Sequence, residues 1–336
     1  MRAKELKDGA LERALSRFLD SEDRLILGFA KGDDGVRHRI FKGGLEHFAL
    51  FNPFFDVNGA LYLRRLFSKS ARIMLVLRPC EIRAYTELAK LSQIEREGII
   101  AVSVDCFGAV SSREGIEDLP GDAEGLRAYF GDPERMRAPC RVCRERRGVV
   151  GDGGIRIDRS GALRAFAYTE KGEAFLSLIE GEAEESPTEM LLGESLRQEP
   201  FQTDMEAFSK DFSPCVMCKN CRDQCPLCYC VDCLFNGDEY LPKGDALLNK
   251  VFRTGSAAMP QGKEMFHLIR MFHVSQTCVG CGSCEEACPQ HIPLTKYFRG
   301  VSERLQAMFS YMSGRDFDET IPYLTFLEDE LKDAED

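Results

Sequence analysis

Two cysteine runs of identical spacing constrain this chain more than any other feature. Cys215-x2-Cys218-x2-Cys221-x3-Cys225-Pro226 returns as Cys278-x2-Cys281-x2-Cys284-x3-Cys288-Pro289. A tight CxxCxxC loop delivers three thiolates to one small volume and turns backbone N–H groups toward it. The following proline ends the loop and sends the chain away. In the bacterial iron–sulfur pattern the fourth cysteine of each run ligates the other cluster. The spacing therefore predicts two [4Fe-4S] sites, one on Cys215, Cys218, Cys221 and Cys288, the other on Cys278, Cys281, Cys284 and Cys225. Zinc is the competing reading, but zinc sites close with four ligands, often as two CxxC pairs, and do not call for this doubled run.

Cysteine chemistry agrees with a bound metal. The chain of 336 residues has 15 cysteines and no tryptophan, and an odd count excludes complete pairing. The start, Met1-Arg2-Ala3-Lys4-Glu5, is charged and lacks an apolar signal core, so the expected location is cytoplasmic, with membrane association only through partners. Reduced thiols there point to metal rather than disulfides. A net charge of -11 argues against a sequence-independent nucleic-acid surface, and no apolar run reaches the length of a membrane span. No GxGxxG follows a strand, and neither a P-loop nor HExxH occurs.

The first part of the chain reads as α/β. Residues 10–19 place Leu11, Leu15 and Phe18 on one helical face, and residues 24–30 read as a strand. Residues 48–63, broken by Asn52, Pro53 and Asn58-Gly59, read as loop and short helix. Residues 72–77 form a continuous apolar run, a strand buried on both faces. Arg78-Pro79-Cys80 is a turn, residues 81–91 a helix, and residues 98–105 a second buried strand. This strand–helix–strand unit closes as a parallel crossover. Residues 147–163 read as loop or hairpin, and 181–200 as a surface linker. The fold class is thus an α/β domain over 1–200 and a two-cluster ferredoxin-like α+β domain over 201–314, with a boundary near 200–210. A long insertion separates the second domain's runs, with a helix over 261–275. An acidic tail, 315–336, is solvated or docks a partner.

Four further cysteines fall where the crossover would gather them. Cys80 and Cys106 follow the two buried strands, whose carboxyl ends share one sheet edge, the usual ligand edge. Cys140 and Cys143 form a CxxC able to close over it. Together they supply the thiolates of a third cluster, or stand as buried free cysteines or a zinc site. Cys228, Cys230 and Cys233 remain, as possible metal ligands without an obvious fourth or as the lining of a cluster. His267 and His273 read as packing or surface residues, and His291 as an exposed polar residue after a turn, with a hydrogen bond to a cluster sulfide as the alternative.

Residues 76–84 (VLRPCEIRA), 103–108 (SVDCFG) and 139–143 (PCRVC), with 218–230 (CKNCRDQCPLCYC) and 266–273 (FHLIRMFH) ahead of the second run, resemble the coenzyme F-420 hydrogenase and formate dehydrogenase beta subunit family, formate dehydrogenase beta subunits most of all. The resemblance spans about residues 20–325. It implies a flavin-binding α/β domain with FAD near a cluster, and it places Cys80, Cys106, Cys140 and Cys143 in shared segments. The implied function is electron transfer between a deazaflavin coenzyme, or a heterodisulfide-reductase-like flavoprotein, and a separate catalytic oxidoreductase subunit. The chain itself carries no constellation for activating the primary substrate. Two other readings stand beside this one: a flavin-free iron–sulfur relay and a zinc-stabilised scaffold. No residue is assigned to FAD.

Overall fold

The computed structural model describes residues 2–66, 72–114, 119–185, 190–192, 204–236, 244–255 and 262–325. The strands of the main sheet are β1 (Arg2–Glu5), β2 (Arg24–Gly32), β3 (Gly35–Phe41), β4 (Arg72–Leu77), β5 (Ile99–Val104), β6 (Gly153–Ile157) and β7 (Leu163–Ala167). Two short edge strands, Phe48–Ala49 and Glu184–Glu185, bring the count to nine among the described residues. The spatial order runs from Glu184–Glu185 through β1, β7, β6, β5, β4 and β2 to β3. The centre is parallel, β2 on β4, β4 on β5 and β5 on β6. The flanks are antiparallel, as the β2–β3 and β6–β7 hairpins require. The chain is therefore a mixed α/β sheet whose apolar centre, Ile73 to Leu77 and Ala101 to Val104, is buried on both faces.

Helix α1 (Ala10–Leu19) buries Leu11, Leu15 and Phe18 as its spacing requires. Helix α2 (Pro79–Lys90) starts earlier than the sequence suggested. Pro79 takes the first helical position, where its missing N–H removes no bond. Glu81 then accepts from the Arg78 backbone N–H (3.1 Å) and from that of Gly59 (2.9 Å). Cys80 thus lies within the first turn of a helix rather than in a turn ahead of one. The β4–α2–β5 unit is the expected parallel crossover.

The C-terminal part is helical: α3 (Met205–Phe212), α4 (Asn220–Asp223), α5 (Lys263–Val274), α6 (Ser283–Glu286) and α7 (Leu294–Met308). A second apolar core joins Phe208, Phe212, Phe266, Tyr297 and Phe298. This part is anchored to α2. Arg83 Nε donates to the Ser313 carbonyl (2.7 Å), and Glu87 accepts from Tyr311 Oη (2.6 Å), Gly314 N (2.6 Å) and Lys90 Nζ (2.9 Å). Most of the linker and residues 326–336 of the acidic tail lie outside the described residues.

Candidate metal centres

Both cysteine runs adopt one backbone. Each follows a helix, α3 or α5, and each enters the left-handed region twice, at Met217 (φ 56°) and Lys219 (φ 63°) in the first run and at Gly280 (φ 68°) and Gly282 (φ 71°) in the second. Each closes with a one-turn helix, α4 or α6. Equivalent residues stand 63 positions apart throughout. The left-handed steps turn amides inward: Met217 N donates to Cys215 Sγ (3.4 Å), and the Gly280 and Ser283 amides serve Cys278 and Cys281. Helices α4 and α6 pack together, with Ser283 Oγ donating to the Gln224 carbonyl (2.9 Å).

Cys215, Cys218, Cys221 and Cys288 line one small cavity, together with Phe266 and His267. The fourth cysteine of the second run therefore meets the first three of the first run. His267 is buried, not on the surface. It packs on Phe212 (ring centroids 4.3 Å apart), and its Nε2 is 3.4 Å from Cys215 Sγ. Burial, then the charge of Arg270, pushes its pKa down to about 3. Arg270 Nη1 donates to Cys221 Sγ (3.0 Å) and Nη2 to the Cys221 carbonyl (2.9 Å). Burial works against this guanidinium's charge, yet Cys221, Cys228, Cys284 and Cys225 outweigh it and hold the pKa above the ordinary value.

The second set gathers around the other run. Cys284 is within electrostatic reach of Cys278 and Cys281, and Cys225 of Cys284. Cys225 also shares a hydrogen bond with Cys228 that raises the first thiol and lowers the second.

The third set forms at the sheet edge. Leu77 pairs with Ser103 at the ends of β4 and β5, so Cys80 and Cys106 emerge side by side and interact. Cys106 in turn interacts with Cys140 and Cys143. Arg146 fastens this loop, its carbonyl accepting from Cys106 N (2.8 Å) and its guanidinium donating to the Cys140 carbonyl. Burial pushes Cys80 well up and Cys106 up to about 12. This set adjoins the second run. Cys80 is within reach of Cys281, Arg137 Nη2 donates to the Gly282 carbonyl (2.8 Å), and Arg299 Nη1 to the Pro139 carbonyl (3.2 Å).

The chemistry of these sets fits an iron–sulfur cluster. Burial alone would keep the thiols protonated, pushing Cys221 and Cys278 up to about 11. Deeply buried cationic donors nevertheless surround them with N–H groups left unpaired: Arg78 Nε and Nη1 by Cys106 and Cys80, Arg137 Nε and Nη1 by Cys281, and Arg270 Nε. A buried unpaired donor is unfavourable unless it meets an acceptor. A thiolate-ligated cluster carries negative charge and acceptor sulfides to such places. Among the described residues no three His, Cys, Asp or Glu side chains converge tightly enough to hold a single ion. The buried arginines escaped the sequence reading. Their signal was an arginine inside an apolar helical face, as at Arg270, or directly beside a cysteine segment, as at Arg78 and Arg137.

Cys228, Cys230 and Cys233 line an open groove with Phe272, His273 and Tyr323, and the structure does not close them around a fourth ligand. His273 and His291 are exposed. A cleft beside the β2–β3 turn is lined by Lys31, Arg37 and Phe54, but Asp33 and Asp34 share it and oppose a pyrophosphate.

Comparison with known proteins supports 4Fe-4S binding at the second cysteine run. The 4Fe-4S binding domain family matches residues 273–293. An F420-dependent formate dehydrogenase subunit beta of Methanocaldococcus jannaschii is 35% identical over 112 residues, 33% of this chain and 26% of that protein. The F420-dependent formate dehydrogenase 1 subunit beta of Methanococcus maripaludis is 24% identical over 310 residues, 76% of each chain. The match to the first relative thus spans about a quarter of its length. A chain of the F420-reducing [NiFe] hydrogenase complex from Methanosarcina barkeri is a distant structural neighbour, with TM-score 0.35 and 13% identity, over 52% of this chain and 76% of that one. The resemblance read from the sequence is thereby shown: the chain is similar to formate dehydrogenase beta subunits and carries a 4Fe-4S binding domain near its C-terminus.

Proposed function

We propose that this chain is an iron–sulfur electron-transfer subunit of beta type in a multisubunit oxidoreductase of the formate dehydrogenase or hydrogenase kind. Cys215, Cys218, Cys221 and Cys288 hold one [4Fe-4S] cluster, Cys278, Cys281, Cys284 and Cys225 a second, and Cys80, Cys106, Cys140 and Cys143 a third. The division into a region ending near residue 200 and a two-cluster region beyond it belongs to this reading. The carrying observation is the continuity of the three thiol sets, each beside a buried arginine with unpaired N–H groups.

When bound, such clusters pass single electrons. The protein's part is to fix the path and the potentials. The Arg137 and Arg299 bonds to Gly282 and Pro139 hold the third set against the second run. The run amides and the Arg270 and His267 donors favour the more negative reduced state. FAD near the third site, a deazaflavin coenzyme or heterodisulfide-reductase-like flavoprotein as exchange partner, and a catalytic subunit at the other end complete the reading. None of these is assigned a residue. A flavin-free relay is the second reading, favoured by Asp33 and Asp34 in the β2–β3 cleft.

Iron, acid-labile sulfide and flavin, quantified per chain on protein isolated without oxygen, test this. Three clusters mean about twelve iron and about twelve sulfide. Zinc in place of iron overturns the proposal. Flavin near zero in iron-replete protein that has been offered FAD selects the relay.

A further inference from the structure

We propose that Arg270 is a shared positioning residue whose single charge sets the reduction potentials of both clusters in the C-terminal part, whereas His267 acts on one of them alone. This rests on the proposed two-cluster reading.

Arg270 projects from α5, the helix that separates the cysteine runs. Its hydrogen bonds go to the sulfur and carbonyl of Cys221, the third ligand of the first set. The thiols facing it are Cys221, Cys228, Cys284 and Cys225. Cys284 and Cys225 belong to the second set, so the guanidinium that bonds Cys221 is also within electrostatic reach of ligands of the other set. It is 3% exposed. The rings of Phe266 and Phe298 flank it, 5.5 and 4.7 Å from the guanidinium carbon. Two other buried arginines of the C-terminal sets are partly neutralised by carboxylates, Arg299 by Glu303 (2.6 Å) and Arg137 by Glu286 (3.7 Å). The charge of Arg270 instead faces sulfur.

Reduction adds one negative charge to a cluster. A fixed cation in a low-dielectric site stabilises that charge and raises the potential, and an N–H donated to sulfur does the same. Because Arg270 faces both sets, it must act on both. His267 differs in kind. It lines the cavity of the first set, and its Nε2 lies 3.4 Å from Cys215 Sγ of that set.

The test is an anaerobic, EPR-monitored redox titration of the full chain after iron–sulfur reconstitution. It compares the parent with R270Q, R270K, H267F and the surface control R17M. The expected result is a lower midpoint potential for both clusters in R270Q, a smaller fall of both in R270K, a fall of one in H267F, and no change in R17M. If R270Q loses clusters, R270K and H267F still decide. Either Arg270 variant moving one potential alone, or neither, overturns the proposal, as does H267F moving both. A parent that shows no pair of titrating clusters refutes the two-cluster reading itself, which separates the two failures.

Discussion

Gly282 joins the second cysteine run to the third thiol set, and replacing it with alanine tests that joint. Gly282 has φ 71°, and an added Cβ would lie 2.2 Å from Pro139 Cγ, 2.7 Å from Pro139 Cβ and 2.5 Å from Arg137 Nη2. Gly280 has nearly the same φ, but its Cβ would meet only the Arg299 side chain at 3.1 to 3.3 Å, and that chain can give way. The first run supplies an internal control, since Met217 and Lys219 hold these two conformations with full side chains. The left-handed backbone is thus tolerable, at about 1–2 kcal/mol for a residue other than glycine. Overpacking against the proline ring adds about 1–3 kcal/mol. Gly282→Ala should therefore destabilise by about 2–5 kcal/mol and Gly280→Ala by about 1–2 kcal/mol. At roughly 2–4 °C per kcal/mol these are melting losses of roughly 4–20 °C and roughly 2–8 °C. The assay is the apparent melting temperature of cluster-loaded protein at one scan rate, with iron counted in parallel. Gly282→Ala should also shed iron from the third set first, toward about eight per chain. Equal melting losses for the two variants, or full iron retention in Gly282→Ala, would refute the reasoning.

Tyr311→Phe removes the hydroxyl donor to the buried Glu87 carboxylate and should destabilise by about 1.5–3 kcal/mol, seen as a lower melting temperature with unchanged iron. Asp211 accepts from Tyr297 Oη (2.6 Å) and then Lys296 Nζ (3.0 Å), which hold its carboxyl below the usual range. A folded pKa below the unfolded one contributes stability above the ordinary carboxylate pKa and loses it as pH falls. Asp211→Asn should therefore melt lower at pH 7, and the gap should narrow as pH is lowered below about 4; a widening gap would contradict this. Stripping iron with a chelator leaves the Arg270 charge, and the unpaired N–H groups of Arg78 and Arg137, without an acceptor. The stripped protein should melt well below the loaded one, and equal melting would undo the argument from the unpaired donors.

What the sequence made legible was what local spacing controls. The apolar run 72–77 is β4, residues 10–19 are α1, and the equal spacing of the runs named the cysteines that now line one cavity. The crossover placed Cys80 beside Cys106 as expected. Residues 147–163 were harder. They contain β6, which pairs in parallel with β5 and continues the sheet, yet Gly153 and Gly154 weaken its strand signal. Both glycines answer to distant neighbours: a Cβ on Gly154 would lie 2.0 Å from the Gly148 carbonyl, and one on Gly153 2.8 Å from that of Phe166. Such close approaches are invisible to periodicity. The same holds for α5, which the spacing placed over 261–275. The helix runs from Lys263 to Val274 and leaves Phe272 83% exposed. Its buried face instead carries Phe266, His267, Arg270 and Met271. Polar residues took the inward positions because sulfur ligands, not only apolar side chains, lie there.

The clasp between α2 and the segment around Tyr311–Gly314 also bears on the timing of maturation. Cys80 sits on the first turn of α2, while Arg83 and Glu87 of the same helix reach partners more than 220 positions later. A chain emerging from the ribosome folds its early parts first, but here the early helix finds its covering only when nearly all of the chain has been made. Cys80 meets Cys281 across 201 positions, and Cys221 meets Cys288 across 67. The second thiol set is incomplete until residue 284 has been added and the first until residue 288, and the third set lacks its wall until the same segment is made. On the proposed ligand sets, loading of the C-terminal part is therefore a late event acting on an essentially finished polypeptide, and a nascent fragment ending before Cys284 would offer no complete C-terminal set.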